Sequence, residues 1–144
     1  MFKIANLEQF NKKLKKTLKE GAEKNVRRAV FKSTNLVRNT AVESILRGGK
    51  SGRVYEKYEP RRTHQASRAG EPPASDTGFL ASQITTEVKL QEDKVVGQII
   101  ASAPYAKHLE FGTTNMLARP FMQPALQKNK KKILEIFKKE GVVD

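Results

Sequence analysis

Residues 84–101 read I-T-T-E-V-K-L-Q-E-D-K-V-V-G-Q-I-I-A, with apolar residues recurring at every second position in both halves. Successive side chains of a strand point to opposite faces, so this alternation gives each half one apolar face. The polar residues 91–94 between the halves predict a turn. We therefore expect an antiparallel hairpin with one buried side, packed against a helix. The residues on the buried side are Ile84, Thr86, Val88 and Leu90, then Val95, Gly97, Ile99 and Ala101.

The helix that would cover this hairpin is predicted upstream, over residues 6–47. Asn6 is a favourable N-cap with Gln9 three positions later, and Gly48-Gly49 ends the pattern. A continuous helix of this length would span about 60 Å, which is long for so small a chain. Its apolar positions recur in steps of three and four, at Leu7, Phe10, Leu14, Leu18, Ala22, Val26, Val30, Val37, Ala41 and Ile45.

Three further helices complete the predicted fold. Asp76 caps a short helix that turns Phe79 and Leu80 inward, and Pro104 begins another at 105–110. A C-terminal helix occupies 122–141. The fold class is therefore α+β, as a single domain over 1–144 with a helix–hairpin–helix core at 76–121.

Residues 48–75 lack any apolar period and are punctuated by glycine and proline. Structureless loops of this length are uncommon in compact domains and usually have a function of their own. We expect an extended loop, mobile in the free subunit, that reaches a neighbouring chain as an arm.

The amino-acid composition limits the classes of function that are possible for this chain. The chain of 144 residues carries a formal net charge of +13, which attracts polyanions such as DNA. It has no cysteine and two histidines, so disulfides, thiolate chemistry and cysteine-ligated metals are excluded. The longest apolar runs are only a few residues, and the N-terminus lacks a signal core, so we expect no membrane contact and a cytosolic site of synthesis.

Two lysine-rich helices supply most of the positive charge. One interpretation is an ordinary solvated helix face, and the other is a surface beside DNA. The residues that the second interpretation would place towards DNA are Lys12, Lys13, Lys16, Lys19, Arg27, Arg28, Lys130, Lys131 and Lys132.

The sequence contains only weak matches to known catalytic motifs. Asp76-Thr77-Gly78 matches the tripeptide of aspartic proteases, but prolines precede it where those enzymes need a strand, so helix capping explains the aspartate better. Lys50 and Ser51 follow two glycines as in a phosphate loop, without the required preceding strand. His64 and His108 have no neighbouring ligands in sequence. We therefore predict no enzyme activity, no metal, no cofactor and no small-molecule substrate.

A compact corner is predicted at residues 109–113, L-E-F-G-T. Gly112 is expected to adopt positive φ, and Phe111 to lock the corner into the core. Because the chain must return nearby, Glu110 is expected to pair with Arg119. In the following Arg119-Pro120-Phe121, the phenylalanine is expected in the core and the arginine in an ion pair or at a neighbouring subunit.

The ordered set of phrases resembles a family of neck and tail-completion proteins, small tail components of long-tailed, lambda-like siphophages. The phrases that carry the resemblance span about residues 50–126 and are Ser51–Tyr55, His64–Ser67, Gly70–Ala74, Asp76–Gly78 with Leu80 and Ser82, Ala103–Ala106, Leu109–Thr113, Ala118–Phe121 and Pro124–Leu126.

This resemblance implies a structural protein of the virion at the head–tail junction, present in the bacterial cytoplasm during assembly. It implies a ring, of six or twelve copies, at the head-proximal end of the tail, with genomic DNA passing through. Its other partners would be head-closure, tail-terminator or tail-tube proteins. The residues expected to serve assembly are Asp76, Thr77, Gly78, Tyr105, Glu110, Phe111, Gly112, Arg119, Pro120 and Phe121. The alternative function is sequence-independent binding of nucleic acid.

Overall fold

A computed structural model describes residues 8–144, with side chains from Lys16 onward apart from that of residue 17. The chain is α+β, as predicted. The predicted Asn6 and Leu7 lie outside the described residues. Of the other predicted positions in this region, only the backbone is described, namely at Gln9, Phe10, Lys12, Lys13 and Leu14. In chain order the elements are α1 Glu8–Arg47, β1 Val54–Tyr58, β2 Arg61–Gln65, α2 Phe79–Ser82, β3 Ile84–Gln91, β4 Lys94–Ala101, α3 Ala106–Phe111 and α4 Met122–Lys139.

Helix α1 is the long helix that the sequence predicts, with 40 residues. Its buried face is built from positions four apart, namely Ala29, Ser33, Val37, Ala41 and Ile45. The predicted stripe is wrong further towards the N-terminus, where Leu18 is 64% exposed. The physical reason is that the contacts of α1 with α4 and β4, at Arg28, Thr34 and Thr40, lie well beyond Leu18, whose neighbour Lys19 reaches the exposed Asp93.

Strands β3 and β4 form the predicted antiparallel hairpin, in register from Ile84 opposite Ala101 to Gln91 opposite Lys94. The hairpin lies along α1, since Arg38 donates from Nε to the carbonyl of Ile84 at 3.1 Å. Gly97 marks the closest approach, because a Cβ there would collide with Thr34 Oγ1 and lie 2.8 Å from Val30 Cγ1.

Helix α4 packs antiparallel to α1 on its other side. Asn129 is buried and donates from Nδ2 to Thr40 Oγ1 and to the carbonyl of Ala125, both at 2.8 Å. One end of the contact is closed by Phe121, which is 1% exposed and so confirms its predicted place in the core. At the other end Glu140 bonds to Lys32. The small core thus lies between α1, α4 and the open end of β3–β4.

The expectation of an extended loop over residues 48–75 is wrong, because β1 and β2 form a second antiparallel hairpin there. One of its faces is exposed, and the half-buried residues of the other, Lys57, Arg62 and His64, are charged or polar. A hairpin without an apolar face has no period-two hydrophobic signal, which is why the sequence pattern did not indicate it.

Candidate assembly surface

Asp76 joins the β1–β2 hairpin to the rest of the molecule. Its carboxylate accepts a hydrogen bond from Lys57 Nζ, lies 3.1 Å from Arg62 Nη2, and lies 3.8 Å from His64 Nδ1. We call these four residues the Asp76 cluster. The hydrogen bond from Lys57, assisted by the charges of Arg62 and Lys57, holds the pKa of Asp76 below its usual range. Lys57 on β1 and Arg62 on β2 therefore bind the same carboxylate, which belongs to the segment before α2, and this attaches the hairpin to that segment.

The prediction that Asp76 caps α2 is wrong. The capping position is Gly78, at φ 77°, and it makes no side-chain capping bond. The carboxylate is instead directed to the hairpin, where it accepts hydrogen bonds from two cations, Lys57 and Arg62. Leu80 is buried as expected, but Phe79 is 46% exposed, and Thr77 is also exposed.

A second carboxylate, Glu71, closes the loop before the cluster. It accepts hydrogen bonds from the Ser51 backbone N–H at 3.0 Å, from the Ser51 hydroxyl, and from the Arg68 backbone N–H at 2.8 Å. The Arg68 bond first, and then the Ser51 bonds, lower the pKa of Glu71 to about 2. The sequence did not indicate this role, since Ser51 lies 20 positions away from Glu71.

Lys50 has a structural position that differs from that of a phosphate-loop lysine. Its ammonium donates to the carbonyls of Ser44 at 3.2 Å, Ile45 at 3.0 Å and Pro73 at 3.0 Å. The first two belong to the last turn of α1, where free carbonyls and the helix dipole favour a cation. Burial lowers the pKa of Lys50. The lysine thus fastens residues 72–74 to the end of α1.

Glu110 holds the corner between α3 and α4, but not by the predicted pairing with Arg119. Its carboxylate accepts the backbone N–H groups of Phe121 at 2.8 Å, Met122 at 3.0 Å and Gln123 at 2.8 Å. These donors belong to the start of α4, where N–H groups lack intrahelical partners and the dipole favours an anion. The expectation that the chain returns nearby is confirmed by the Arg119 N–H bond to the Leu109 carbonyl at 2.7 Å.

The expectation that Phe111 enters the core is wrong, because this residue is 76% exposed. Gly112 does have positive φ, at 77°. That turn places the Phe111 ring outside the molecule, on the same corner as Leu117, which is 75% exposed. Two large apolar side chains therefore project from the corner between α3 and α4.

Arg119 borders one open cavity of about 210 Å³, together with Asp76 and His64 of the Asp76 cluster. Ser67 is 3% exposed and also lines the cavity, and its hydroxyl has no hydrogen-bond partner among the described residues. The buried Nε of Arg119 is likewise unpartnered within residues 16–144. The cavity is otherwise walled by Pro73, Leu80, Leu109, the exposed Tyr105 and backbone of Asp76-Thr77-Gly78. Pro120 lies next to Arg119, outside the cavity lining.

The predicted basic residues on α1 and on α4 differ in how many carboxylates lie near them. On α1, four of the predicted DNA-facing residues have described side chains, and each lies near a carboxylate: Lys16–Glu20 at 3.9 Å, Lys19–Asp93 at 3.7 Å, Arg27–Glu23 at 3.1 Å and Arg28–Glu140 at 3.4 Å. On α4, Lys130, Lys131 and Lys132 are exposed and form no ion pair with any described residue. The excess positive charge is therefore less neutralised on α4 than on α1.

The described part of the chain contains no helix long and apolar enough to cross a membrane. Over residues 8–112, the sequence matches the family described as "Bacteriophage HK97-gp10, putative tail-component". The chain belongs to this family. Membership makes it a structural tail component of the phage virion, with other phage tail proteins as its partners.

The family match includes α1, for which the sequence offered no distinctive phrase, and it ends at Gly112. It contains Asp76-Thr77-Gly78, Tyr105 and Glu110-Phe111, whereas the Arg119-Pro120-Phe121 phrase lies beyond the matched range. Comparisons with curated proteins and with solved structures gave no match.

Proposed function

We propose that this tail component acts at the head–tail junction, where its copies assemble as a ring of six or twelve at the head-proximal end of the tail. DNA passes through the ring, and its faces contact head-closure, tail-terminator or tail-tube proteins. In this role the chain is a structural subunit without catalytic activity, and its free form is made in the bacterial cytoplasm.

The observation that carries this proposal is the pair of projecting apolar side chains on a corner within, or close to, the family match. Phe111 and Leu117 are 76% and 75% exposed, although Gly112 and Glu110 hold the corner in one conformation. A fixed and exposed apolar corner is typical of a surface that another chain covers. The exposed Tyr58, on the β1–β2 hairpin, offers a second such position.

The absence of a catalytic role is supported by the surroundings of Asp76. An aspartic protease needs two carboxylates that share a proton. Asp76 instead accepts bonds from Lys57 and Arg62, and these cations favour its fully ionised form. Its position is explained by attachment of the hairpin.

The first test is the solution mass of the purified protein, measured by light scattering at moderate salt. A closed oligomer of six or twelve copies is expected for a preassembled ring. Phe111→Ser with Leu117→Ser should reduce that mass, whereas Leu134→Ser, which removes a 52% exposed leucine from α4, should leave it unchanged. Oligomers that survive the double substitution would show that the corner is not the interface.

A second candidate function, sequence-independent binding of nucleic acid, is favoured by the unpaired lysines of α4. It predicts that duplex DNA binds a monomer and that affinity falls steeply with salt, since each phosphate contact releases counterions. Replacing Lys131 and Lys132 by glutamine should reduce both the affinity and the salt slope. Replacing Lys16 and Lys19, which lie near Glu20 and Asp93, is the matched control and should change both less.

A further inference from the structure

The cavity beside Arg119 lacks an acceptor that its donors require. Ser67 Oγ and Arg119 Nε are both buried and both unpartnered within the described part of the chain. A buried donor without a partner costs free energy, and more so when it belongs to a charged group. Guanidinium stays protonated at any physiological pH, so this charge cannot be removed by titration. The site is therefore built to receive an oxygen acceptor.

The charge around the cavity indicates an anionic acceptor. Arg119 lines the cavity, Asp76 is the one carboxylate among the lining residues, and Lys57 and Arg62 both contact that carboxylate. Asp76 already accepts from Lys57 and Arg62. A second carboxylate would neutralise the charge of Arg119 and satisfy the Ser67 hydroxyl.

The shape of the cavity favours a protein side chain. At about 210 Å³ it is smaller than the roughly 300–1,000 Å³ typical of pockets for small organic ligands. Its donors are recessed, since Ser67 is only 3% exposed, so a phosphate on the convex surface of a duplex would not reach them. Its walls, Leu80, Leu109 and Pro73, suit the methylene stem of a glutamate.

A matching group projects from the opposite end of the molecule. The β3–β4 turn consists of Glu92 and Asp93, both exposed and both at positive φ, 44° and 65°. Glu92 has no ion-pair partner among the described residues. Asp93 is 86% exposed and lies 3.7 Å from Lys19, which is 73% exposed, so this ion pair is weak. Beside the turn, Leu90 is 47% exposed and adds an apolar contact.

The β3–β4 hairpin separates the cavity from the acidic turn, with one feature at each of its ends. The cavity includes Leu80 and Tyr105, which flank the open end of β3–β4, whereas the acidic turn closes the other end. Strands of eight residues place them roughly 26 Å apart. Complementary surfaces at opposite ends of a subunit generate head-to-tail contacts, which close into rings or extend into filaments.

We propose that the cavity lined by Ser67 and Arg119 is a carboxylate-binding site for the Glu92–Asp93 turn of a second copy of this chain. The contact rests on the proposed ring and specifies one of its subunit junctions. In it, Glu92 enters the cavity, and the turn's second carboxylate faces the Asp76 cluster at the rim.

Disulfide trapping tests this contact directly, because the chain has no native cysteine. Thr77→Cys places a thiol on the exposed rim of the cavity, and Gln91→Cys places one beside the turn while keeping both carboxylates of the turn. Mixed under mild oxidation, the two variants should form a heterodimer, and a chain carrying both should form a ladder of larger species. The matched control replaces Thr77→Cys by Gln127→Cys, an exposed position on α4, and should give at least about tenfold less heterodimer.

Adding Arg119→Ala to the Thr77→Cys chain should reduce heterodimer formation by at least about tenfold, because a buried charge partner is lost. Unchanged thermal unfolding of each variant establishes that folding is intact. Oligomers seen by light scattering without preferential trapping would overturn this junction and leave the ring standing. Monomers without trapping at any concentration would overturn both. Loss of duplex-DNA binding in Arg119→Ala, with trapping unchanged, would assign the cavity to phosphate instead and also overturn it.

Discussion

The two hairpins of this molecule share one topology and are held by different forces. Strands β3 and β4 lie against α1, with Ile84 fully buried and Gly97 in close contact with Thr34. Strands β1 and β2 bury little, and the Asp76 cluster ties them to the rest of the chain. Packing therefore fixes one hairpin and a single carboxylate fixes the other.

This difference predicts how easily each hairpin opens and which conditions affect it. Apolar burial is distributed over many contacts and resists single changes in pH or salt. Contacts between partly exposed charges are screened by salt and depend on protonation. We expect β3–β4 to open only with global unfolding and β1–β2 to detach locally, as weakly packed segments do.

The largest effect is expected from Ile84→Ala, at the buried end of β3. Removing a fully buried isoleucine should cost about 2–5 kcal/mol, because both transfer energy and packing are lost. The measurement is urea unfolding followed by circular dichroism. The matched control is Val54→Ala in β1, where the valine is 57% exposed and little change is expected. Equal losses at both positions would remove the distinction between the hairpins.

A smaller loss is expected from Gly97→Val, which adds bulk where β4 meets α1. The new Cβ would press on Thr34 and Val30, both branched and stiff, at a cost of about 1–3 kcal/mol. Gly21→Ala, on the exposed part of α1 with open space around it, should instead stabilise by about 0.5–1 kcal/mol. Thermal unfolding separates the two, and a stable Gly97→Val protein would contradict the close approach.

Glu110→Gln tests α4, which is both packed and tied by a carboxylate. The amide retains one acceptor oxygen but loses the charge and the second oxygen that accept the N–H groups of residues 121–123. A cost of about 1 kcal/mol is expected, as for other lost N-terminal caps. Glu135→Gln, on the exposed face of α4, is the control. Amide exchange at residues 121–123 should accelerate in the first variant alone.

Asp76→Asn should release the β1–β2 hairpin while leaving the global unfolding transition nearly unchanged. In this variant, amide exchange and proteolysis over residues 54–65 should become faster, while β3–β4 should remain as protected as in the parent protein. Glu56→Gln, an exposed change within β1, controls for altered charge. Protection of residues 54–65 equal to that of the parent would show that the cluster is not what holds the hairpin.

The same contact should depend on pH in a defined direction. The pKa of Asp76 is lowered in the folded protein, so its contribution is complete above the ordinary carboxyl value of about 3.9. It is lost only as pH falls through the lower folded value. Amide-exchange protection factors of residues 54–58 should therefore not fall between pH 7 and about 4, and should fall below that, ahead of those of β3–β4.

The comparison also explains how much of the fold was readable from sequence. The apolar period predicted α1, α4 and β3–β4, because in these elements burial itself produces the pattern. The β1–β2 hairpin was missed, since its strands carry charged and polar residues on both faces. The stripe of α1 was extended too far to Leu18, because the sequence shows which face is apolar but not which part of it is covered.

The site was less predictable, because its contacts join residues far apart in sequence. Glu110 was correctly singled out as part of the corner, but its partners are backbone N–H groups, which no residue type reveals. Asp76 was assigned a local cap, while its actual partners, Lys57 and Arg62, lie 19 and 14 positions away. Single-sequence reasoning favours local partners, and here the non-local ones prevailed.

Helix α1 has a mechanical consequence as well. A continuous helix of 40 residues is about 60 Å long and stiff, so it acts as a lever. Its C-terminal half is clamped between β3–β4 and α4, so a tilt of about 5° at the middle of the helix would displace the end of the other half, about 30 Å away, by about 2.6 Å. A small change of packing beneath Gly97 would thereby become a displacement of a few ångströms at the N-terminal end of α1.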